Sequence, residues 1–69
     1  MTSVKITTPF IKLDSFLKFA GIVSTGGEAK MMISDGVVLV DGEVCSMRGK
    51  KIYPESVVTV DGEEYKAQT

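Results

Sequence analysis

The chain has 69 residues, of which 43% are hydrophobic and 25% charged, so it predicts one small folded domain rather than a disordered segment. Histidine is absent and Cys45 is the only cysteine, which excludes an internal disulfide and argues against a metal site or a histidine-based catalytic centre. The net charge of −1 argues against indiscriminate binding to polyanions.

No hydrophobic run approaches the roughly 18–20 residues of a membrane span, and the opening MTSVKITTPF lacks a signal-peptide core. We therefore expect a single cytoplasmic domain over residues 1–69, with no membrane partner, cofactor, metal or small-molecule substrate. Catalysis is not expected either. Cys45 falls in a predicted strand, and the neighbouring carboxylates of Glu63 and Glu64 would point to opposite faces of another strand.

The first half of the chain is predicted to be mainly helical, after a short edge strand at residues 4–7. Apolar residues at i, i+3, i+4 and i+7 between Leu13 and Ala20 predict a short amphipathic helix. Asp14 is its predicted N-cap, and Gly21 is the predicted stop.

A second helix is predicted to begin after Thr25 and to end at Gly36. The sequence Thr25-Gly26-Gly27-Glu28 fits a capping box, in which the threonine and glutamate side chains each accept from the other's backbone amide. Free amides at a glycine-containing helix start also attract phosphate, although a capped helix without a ligand explains the same residues.

The second half is predicted to form two β-hairpins, each around an Asp-Gly turn. The first hairpin spans residues 37–45 with its turn at 41–42, and the second spans 56–67 with its turn at 61–62. The expected fold class is α+β, with two short helices packed on a small, mainly antiparallel β-sheet.

Between the hairpins, the stretch SMRGKKIYPES (residues 46–56) gathers three cations, Arg48, Lys50 and Lys51. Arginine can donate two hydrogen bonds to one phosphate, and lysine supplies a mobile positive charge. Tyr53 could stack on a base or pack against the sheet. Composition alone favours a solvated loop without a ligand over a nucleic-acid contact.

The run KLDSFLKFAGI…STGGEAKMMISDGVVLVDGEV…KKIYPESVV resembles the S4 RNA-binding domain, from about Lys12 to Val60. The most specific piece is GVVLVDG at residues 36–42, where the family pattern is glycine, x, valine, x, valine, asparagine, glycine. Within the family the chain looks most like the small stand-alone YaaA-type proteins of bacteria, which share the Gly-Gly helix start and the Arg-Gly-basic-basic loop.

This resemblance implies an αL motif, in which the two helices pack on a β-hairpin and form a surface for structured RNA such as ribosomal RNA or a ribosomal subunit. It implies RNA contacts just before the first helix, at the start of the second helix and in the loop after the hairpin. The corresponding residues are Lys12; Ser24, Thr25, Gly26, Gly27 and Lys30; and Arg48, Lys50 and Lys51. We expect Gly49 to let that loop turn.

The chain departs from the family pattern in three places that bear on function. Many relatives have arginine where this chain has Gly26, so backbone amides would replace a side-chain contact there. Asp41 replaces the turn asparagine and adds a negative charge. Glu55 stands in Pro54-Glu55-Ser56 where relatives have Pro-Gly-Asp, an exchange expected to be neutral.

Two functions from different classes remain open on the sequence. The first is a non-catalytic RNA-binding protein, associated with ribosomes, that recognises phosphates and shape. The alternative is a small protein-interaction adapter that uses the edge of the sheet or an exposed methionine surface. Met32 belongs to the apolar stripe of the second helix, so only Met31 is available for such a surface.

Overall fold

Seven short strands and two helices follow one another in the computed structural model, which describes residues 1–69. The strands are β1 (Thr2–Lys5), β2 (Ile11–Lys12), β3 (Val38–Val40), β4 (Glu43–Val44), β5 (Lys51–Ile52), β6 (Val57–Val60) and β7 (Glu63–Gln68). The helices are α1 (Leu13–Phe19) and α2 (Gly26–Ser34), and neither is long and apolar enough to cross a bilayer.

Five strands form the main sheet in the order β1-β7-β6-β3-β4, in which only the β1–β7 pair is parallel. Both predicted hairpins are present, and their turns have positive φ at both central residues: 51° and 88° at Asp41 and Gly42, 52° and 77° at Asp61 and Gly62. Turns of this kind match the twist of the flanking strands. The predicted α+β class, with two helices and a mainly antiparallel sheet, is confirmed.

One hydrophobic core of 14 buried residues joins the helices to the sheet. Its largest members are Phe16, Leu13 and Leu17 of α1, which are fully buried, so the predicted apolar stripe does face the core. Ile52 of β5 is also fully buried. It therefore anchors in the same core the end of the loop that carries Arg48, Lys50 and Lys51, which we call the basic loop.

The start of α1 differs from the prediction. Lys12 occupies the N-cap position without a side-chain cap, and Asp14 lies inside the first turn. The amides of Leu13 and Asp14 donate to the carbonyl oxygens of Lys50 and Arg48, at 2.8 and 3.1 Å. The prediction of Asp14 as N-cap is wrong because a loop distant in sequence supplies the acceptors that a cap would otherwise provide.

Glu55 has a φ of 79°, in the left-handed region that favours glycine. It follows Pro54 in a turn that is closed by a 3.1 Å hydrogen bond from the Ser56 amide to the Tyr53 carbonyl. A side chain in that region costs about 1 kcal/mol or more, so the replacement of the family's glycine is not neutral, contrary to expectation. Glu55 does gain an exposed ion pair with Lys66, at 2.7 Å, worth at most about 1 kcal/mol.

We expect Glu55→Gly to have a free energy of unfolding about 1 kcal/mol higher than Glu55→Gln, because glycine adopts the left-handed conformation without a steric penalty. Both variants lack the ion pair, so their difference isolates the backbone effect. Urea unfolding followed by circular dichroism measures it. Equal unfolding midpoints for the two variants would show that the turn holds residue 55 without strain.

Candidate nucleic-acid interface

Strands β2 and β5 form a two-stranded antiparallel ladder that is separate from the main sheet. Its register pairs Ile11 with Ile52 and Lys12 with Lys51. Since side chains alternate between the two faces of a strand, Ile52 is buried while both lysines face solvent. The ladder therefore joins the residue before α1 directly to the basic loop.

An aromatic pair lies one residue beyond the ladder, in the same register. The rings of Phe10 and Tyr53 lie with their centroids 5.8 Å apart and their planes tilted by 49°. The Nζ atom of Lys51 lies 4.9 Å from the centroid of the Phe10 ring, within the range of a cation–π contact. One side of the ladder thus combines two cations and two aromatic rings, which we call the basic–aromatic face: Phe10, Lys12, Lys51 and Tyr53.

Arg48 and Lys50 are held beside this face by their main chains. Their carbonyl oxygens accept from the first amides of α1, and the Lys50 amide donates to the Met47 carbonyl at 3.1 Å. Gly49 has a φ outside the left-handed region, and a Cβ atom there would meet nothing within 4 Å. The loop therefore does not require a glycine at this position, because an ordinary residue could adopt the same backbone.

No acidic side chain pairs with the cations at this end of α1. The only ion pair in the structure joins Lys66 to Glu55. Lys12 and Lys51 are direct cross-strand neighbours, an arrangement in which like charges are destabilising. A bound anion would relieve that repulsion, so the arrangement favours a polyanionic ligand. The unpaired cations at this end of α1 are Lys12, Arg48, Lys50 and Lys51.

The start of α2, the other predicted contact, is already largely satisfied by its own cap. The Thr25 Oγ1 accepts from the Glu28 amide at 3.2 Å, and the Glu28 Oε1 accepts from the amides of Ser24 and Thr25, at 3.0 and 3.2 Å. The predicted capping box is therefore present. The amides of Gly26 and Gly27 remain free to donate, but the Glu28 carboxylate places a negative charge beside them.

The predicted contact residues belong to two locally connected groups. All of them are exposed: Lys12, Arg48, Lys50 and Lys51 around the N-terminal end of α1, and Ser24, Thr25, Gly26, Gly27 and Lys30 around the start of α2. No hydrogen bond, ion pair or strand pairing joins the groups. Residues 31–47 separate the loop cations from the start of α2 along the chain.

Sequence reasoning missed Phe10 and the β2–β5 ladder. Strands of two residues are too short to show hydrophobic periodicity, so no strand was predicted at either segment. A signal was nevertheless present, because Phe10-Ile11-Lys12 and Lys51-Ile52-Tyr53 are the same pattern of aromatic, isoleucine and lysine read in opposite directions. Antiparallel pairing places matching residues of two such segments opposite one another.

Other chemically distinctive side chains lie outside this surface. The hydrogen bond that the Tyr65 hydroxyl donates to Glu63 Oε2, at 3.0 Å, raises the pKa of Tyr65. Cys45 is half-buried, and its amide donates to the Val38 carbonyl at 3.0 Å, which fits a structural position beside the hairpin. No cluster of three or more histidine, cysteine, aspartate or glutamate side chains could hold a metal ion.

Comparison with known proteins places these features in a family. The S4 domain matches residues 4–68 of the chain. The probable ribosome maturation protein RlbA of Bacillus subtilis (strain 168) is 41% identical over 59 residues, which cover 86% of this chain and 83% of that protein.

Two solved structures share the fold. The solution structure of YbcJ from E. coli, a protein with an αL motif involved in RNA binding, has a TM-score of 0.75 and 28% identity, over 100% of this chain and 89% of that one. The 30S ribosomal protein S4e from Thermoplasma acidophilum has a TM-score of 0.66 and 20% identity, over 87% of this chain and 32% of that one, and shows likeness of fold alone. The resemblance indicated by the sequence is confirmed, and the chain belongs to the S4 domain family.

Proposed function

We propose that this chain is a single-domain, non-catalytic RNA-binding protein of the bacterial cytoplasm. Its ligand is structured RNA, in particular ribosomal RNA or a ribosomal subunit. The observation that carries the proposal is the cross-strand pair of Lys12 and Lys51, which stands without any acidic partner beside Arg48 and Lys50. Membership of the S4 domain family supports it, as do the ribosome maturation relative and the RNA-binding αL motif of YbcJ.

Recognition in this proposal depends on phosphates and shape. The Arg48 guanidinium can donate two parallel hydrogen bonds to one phosphate, while the lysines of the ladder contribute mobile charges. The deep groove of an RNA helix excludes side chains, so a folded RNA is contacted mainly along its backbone and in its loops. The free amides of Gly26 and Gly27, at the start of α2, would meet another part of the same backbone.

Sedimentation with purified ribosomal subunits at low salt tests the proposal. We expect the protein to sediment with a subunit and to be released as the salt concentration rises, because phosphate contacts release counterions. A labelled RNA stem-loop provides a second probe, with the dissociation constant measured by fluorescence anisotropy. Failure to bind subunits, extracted ribosomal RNA and the stem-loop at low salt would contradict the proposal.

The contribution of the α2 start can be tested separately with Glu28→Gln. Glutamine still accepts from the N-cap amides, so the capping box and the helix should persist. The substitution removes the one negative charge beside Gly26 and Gly27, so we expect about two- to fivefold tighter binding to the stem-loop, the effect of roughly 0.5–1 kcal/mol from a charge near a helix N-terminus. Unchanged affinity, with unchanged thermal stability, would show that RNA does not approach α2.

The adapter hypothesis also has an observation in its favour. Met31 is 68% exposed while Met32 is half-buried, as expected, and Val37 extends the apolar surface beside it. If the protein joins ribosomes through another protein, Met31→Gln should abolish cosedimentation, and the lysines of the ladder should matter little. If RNA is the ligand, Met31→Gln should leave cosedimentation unchanged.

A further inference from the structure

We infer that the basic–aromatic face is a binding site for one unpaired nucleotide, with Tyr53 as the surface on which its base stacks. The inference deepens the proposed function and rests on it. It means that the protein selects the loop, bulge or end of a folded RNA, and does not merely bind the phosphates of a stem.

Of the two aromatic rings on this face, Tyr53 is the one available for stacking with a base. Phe10 is half-buried, and the Lys51 ammonium already lies against its ring at 4.9 Å. Tyr53 is 50% exposed and contacts Phe10 in a tilted arrangement, so much of its ring is open to solvent. Phe10 therefore serves as the support that fixes the tyrosine.

The backbone on both sides of Tyr53 is fixed, so its position does not depend on a ligand. Ile52, immediately before it, is fully buried in the core. The Tyr53 carbonyl accepts from the Ser56 amide in the turn that follows. A ring held this way loses little conformational freedom when a base stacks on it, which favours binding.

The neighbouring charges fit the rest of a nucleotide. Lys51 lies two residues before Tyr53 along the chain, and Lys12 is the cross-strand partner of Lys51. Both lysines therefore lie on the same side of the ladder as Tyr53. A base on the tyrosine would thus have its phosphates beside two unpaired ammonium groups. Bases inside a duplex are covered by their neighbours, so only an unpaired base can use this site.

The competing explanation is that Phe10 and Tyr53 only stabilise the β2–β5 ladder. Three RNAs separate the two explanations: a stem-loop, the same stem-loop with abasic sites replacing the loop bases, and a blunt duplex of the stem. The abasic RNA keeps every phosphate and removes only the bases. A stacking site responds to that change, whereas a structural aromatic pair does not.

We expect Tyr53→Leu to weaken binding to the intact stem-loop by roughly five- to a hundredfold, the range for loss of one stacked base. Binding to the abasic stem-loop and to the duplex should be unchanged, and the wild type should lose a similar factor on the abasic RNA. Tyr53→Phe, which keeps the ring, should bind like the wild type. Phe19→Leu is the matched control, because Phe19 is 61% exposed at the other end of α1.

Nuclear magnetic resonance gives a direct readout of stacking. The ring protons of Tyr53 should shift upfield when the intact stem-loop binds and should not shift with the abasic one. Equal weakening of Tyr53→Leu on all three RNAs, or no weakening on any, would overturn the stacking site while leaving RNA binding intact. Failure of the wild type to bind any of the three RNAs would also overturn the stacking site, and failure to bind ribosomal subunits and extracted ribosomal RNA as well would overturn the proposed function.

Discussion

Replacing Lys12 and Lys51 together by alanine should weaken binding to the labelled stem-loop by about 30-fold at low salt, if each phosphate contact contributes about 1 kcal/mol. The slope of the logarithm of the binding constant against the logarithm of the salt concentration should become shallower by about 1.4–1.8, since each neutralised phosphate contributes about 0.7–0.9. Fluorescence anisotropy titrations at several salt concentrations measure both quantities.

The free energy of unfolding of this double variant shows whether the protein is still folded. Lys12 and Lys51 oppose each other in the ladder, so removing both charges removes a repulsion of several tenths of a kcal/mol. It also removes the cation–π contact of Lys51 with Phe10, worth about 0.5–1 kcal/mol. The free energy of unfolding should therefore fall by less than about 1 kcal/mol while RNA binding falls much more. Lys5→Ala is the matched control, since Lys5 is an exposed strand lysine of the main sheet. An unchanged salt slope in the double variant would exclude the ladder lysines as phosphate contacts.

Phe16→Ala should produce the largest loss of stability of any single substitution considered for this chain. Phe16 is the largest fully buried side chain, and truncation of such a residue costs about 3–5 kcal/mol. A domain of 69 residues has a total stability of about 3–10 kcal/mol. We therefore expect the variant to be partly or wholly unfolded at 37 °C, as measured by urea and thermal unfolding.

Phe19→Ala is the control for that experiment, because it makes the same chemical change in the same helix. Phe19 is 61% exposed, so its truncation should cost less than about 1 kcal/mol. Similar losses for the two variants would mean that α1 does not pack with the face assigned to it. A large loss at Phe16 alone would confirm the orientation that also places Lys12 and Asp14 at the basic loop.

The elements of the fold could be predicted because their signals are local. The apolar stripe from Leu13 to Ala20 and the capping box at Thr25 depend on residues within two helical turns of one another. The Asp-Gly turns require only a pair of adjacent residues that tolerate positive φ. The charge of the basic loop and the absence of histidine likewise follow from the amino-acid sequence alone.

Tertiary structure alone decided which of those local features share a surface. The pairing of Lys12 with Lys51 closes a long loop, and strands of two residues carry too few side chains to specify it by periodicity. The same closure made Asp14 an ordinary first-turn residue and turned Phe10 and Tyr53 into neighbours. That the basic loop and the start of α2 contact one RNA backbone stays a prediction.

The amino-acid sequence by itself thus determined the helices, the hairpins and the family, since each depends on short-range patterns or on matched residues in order. The three-dimensional fold determined the candidate site, because an RNA surface is a matter of which exposed charges and rings become neighbours. Buried Ile52 illustrates the connection between the two. Its burial in the core fixes Lys51 and Tyr53 on the solvent side, where an RNA can meet them.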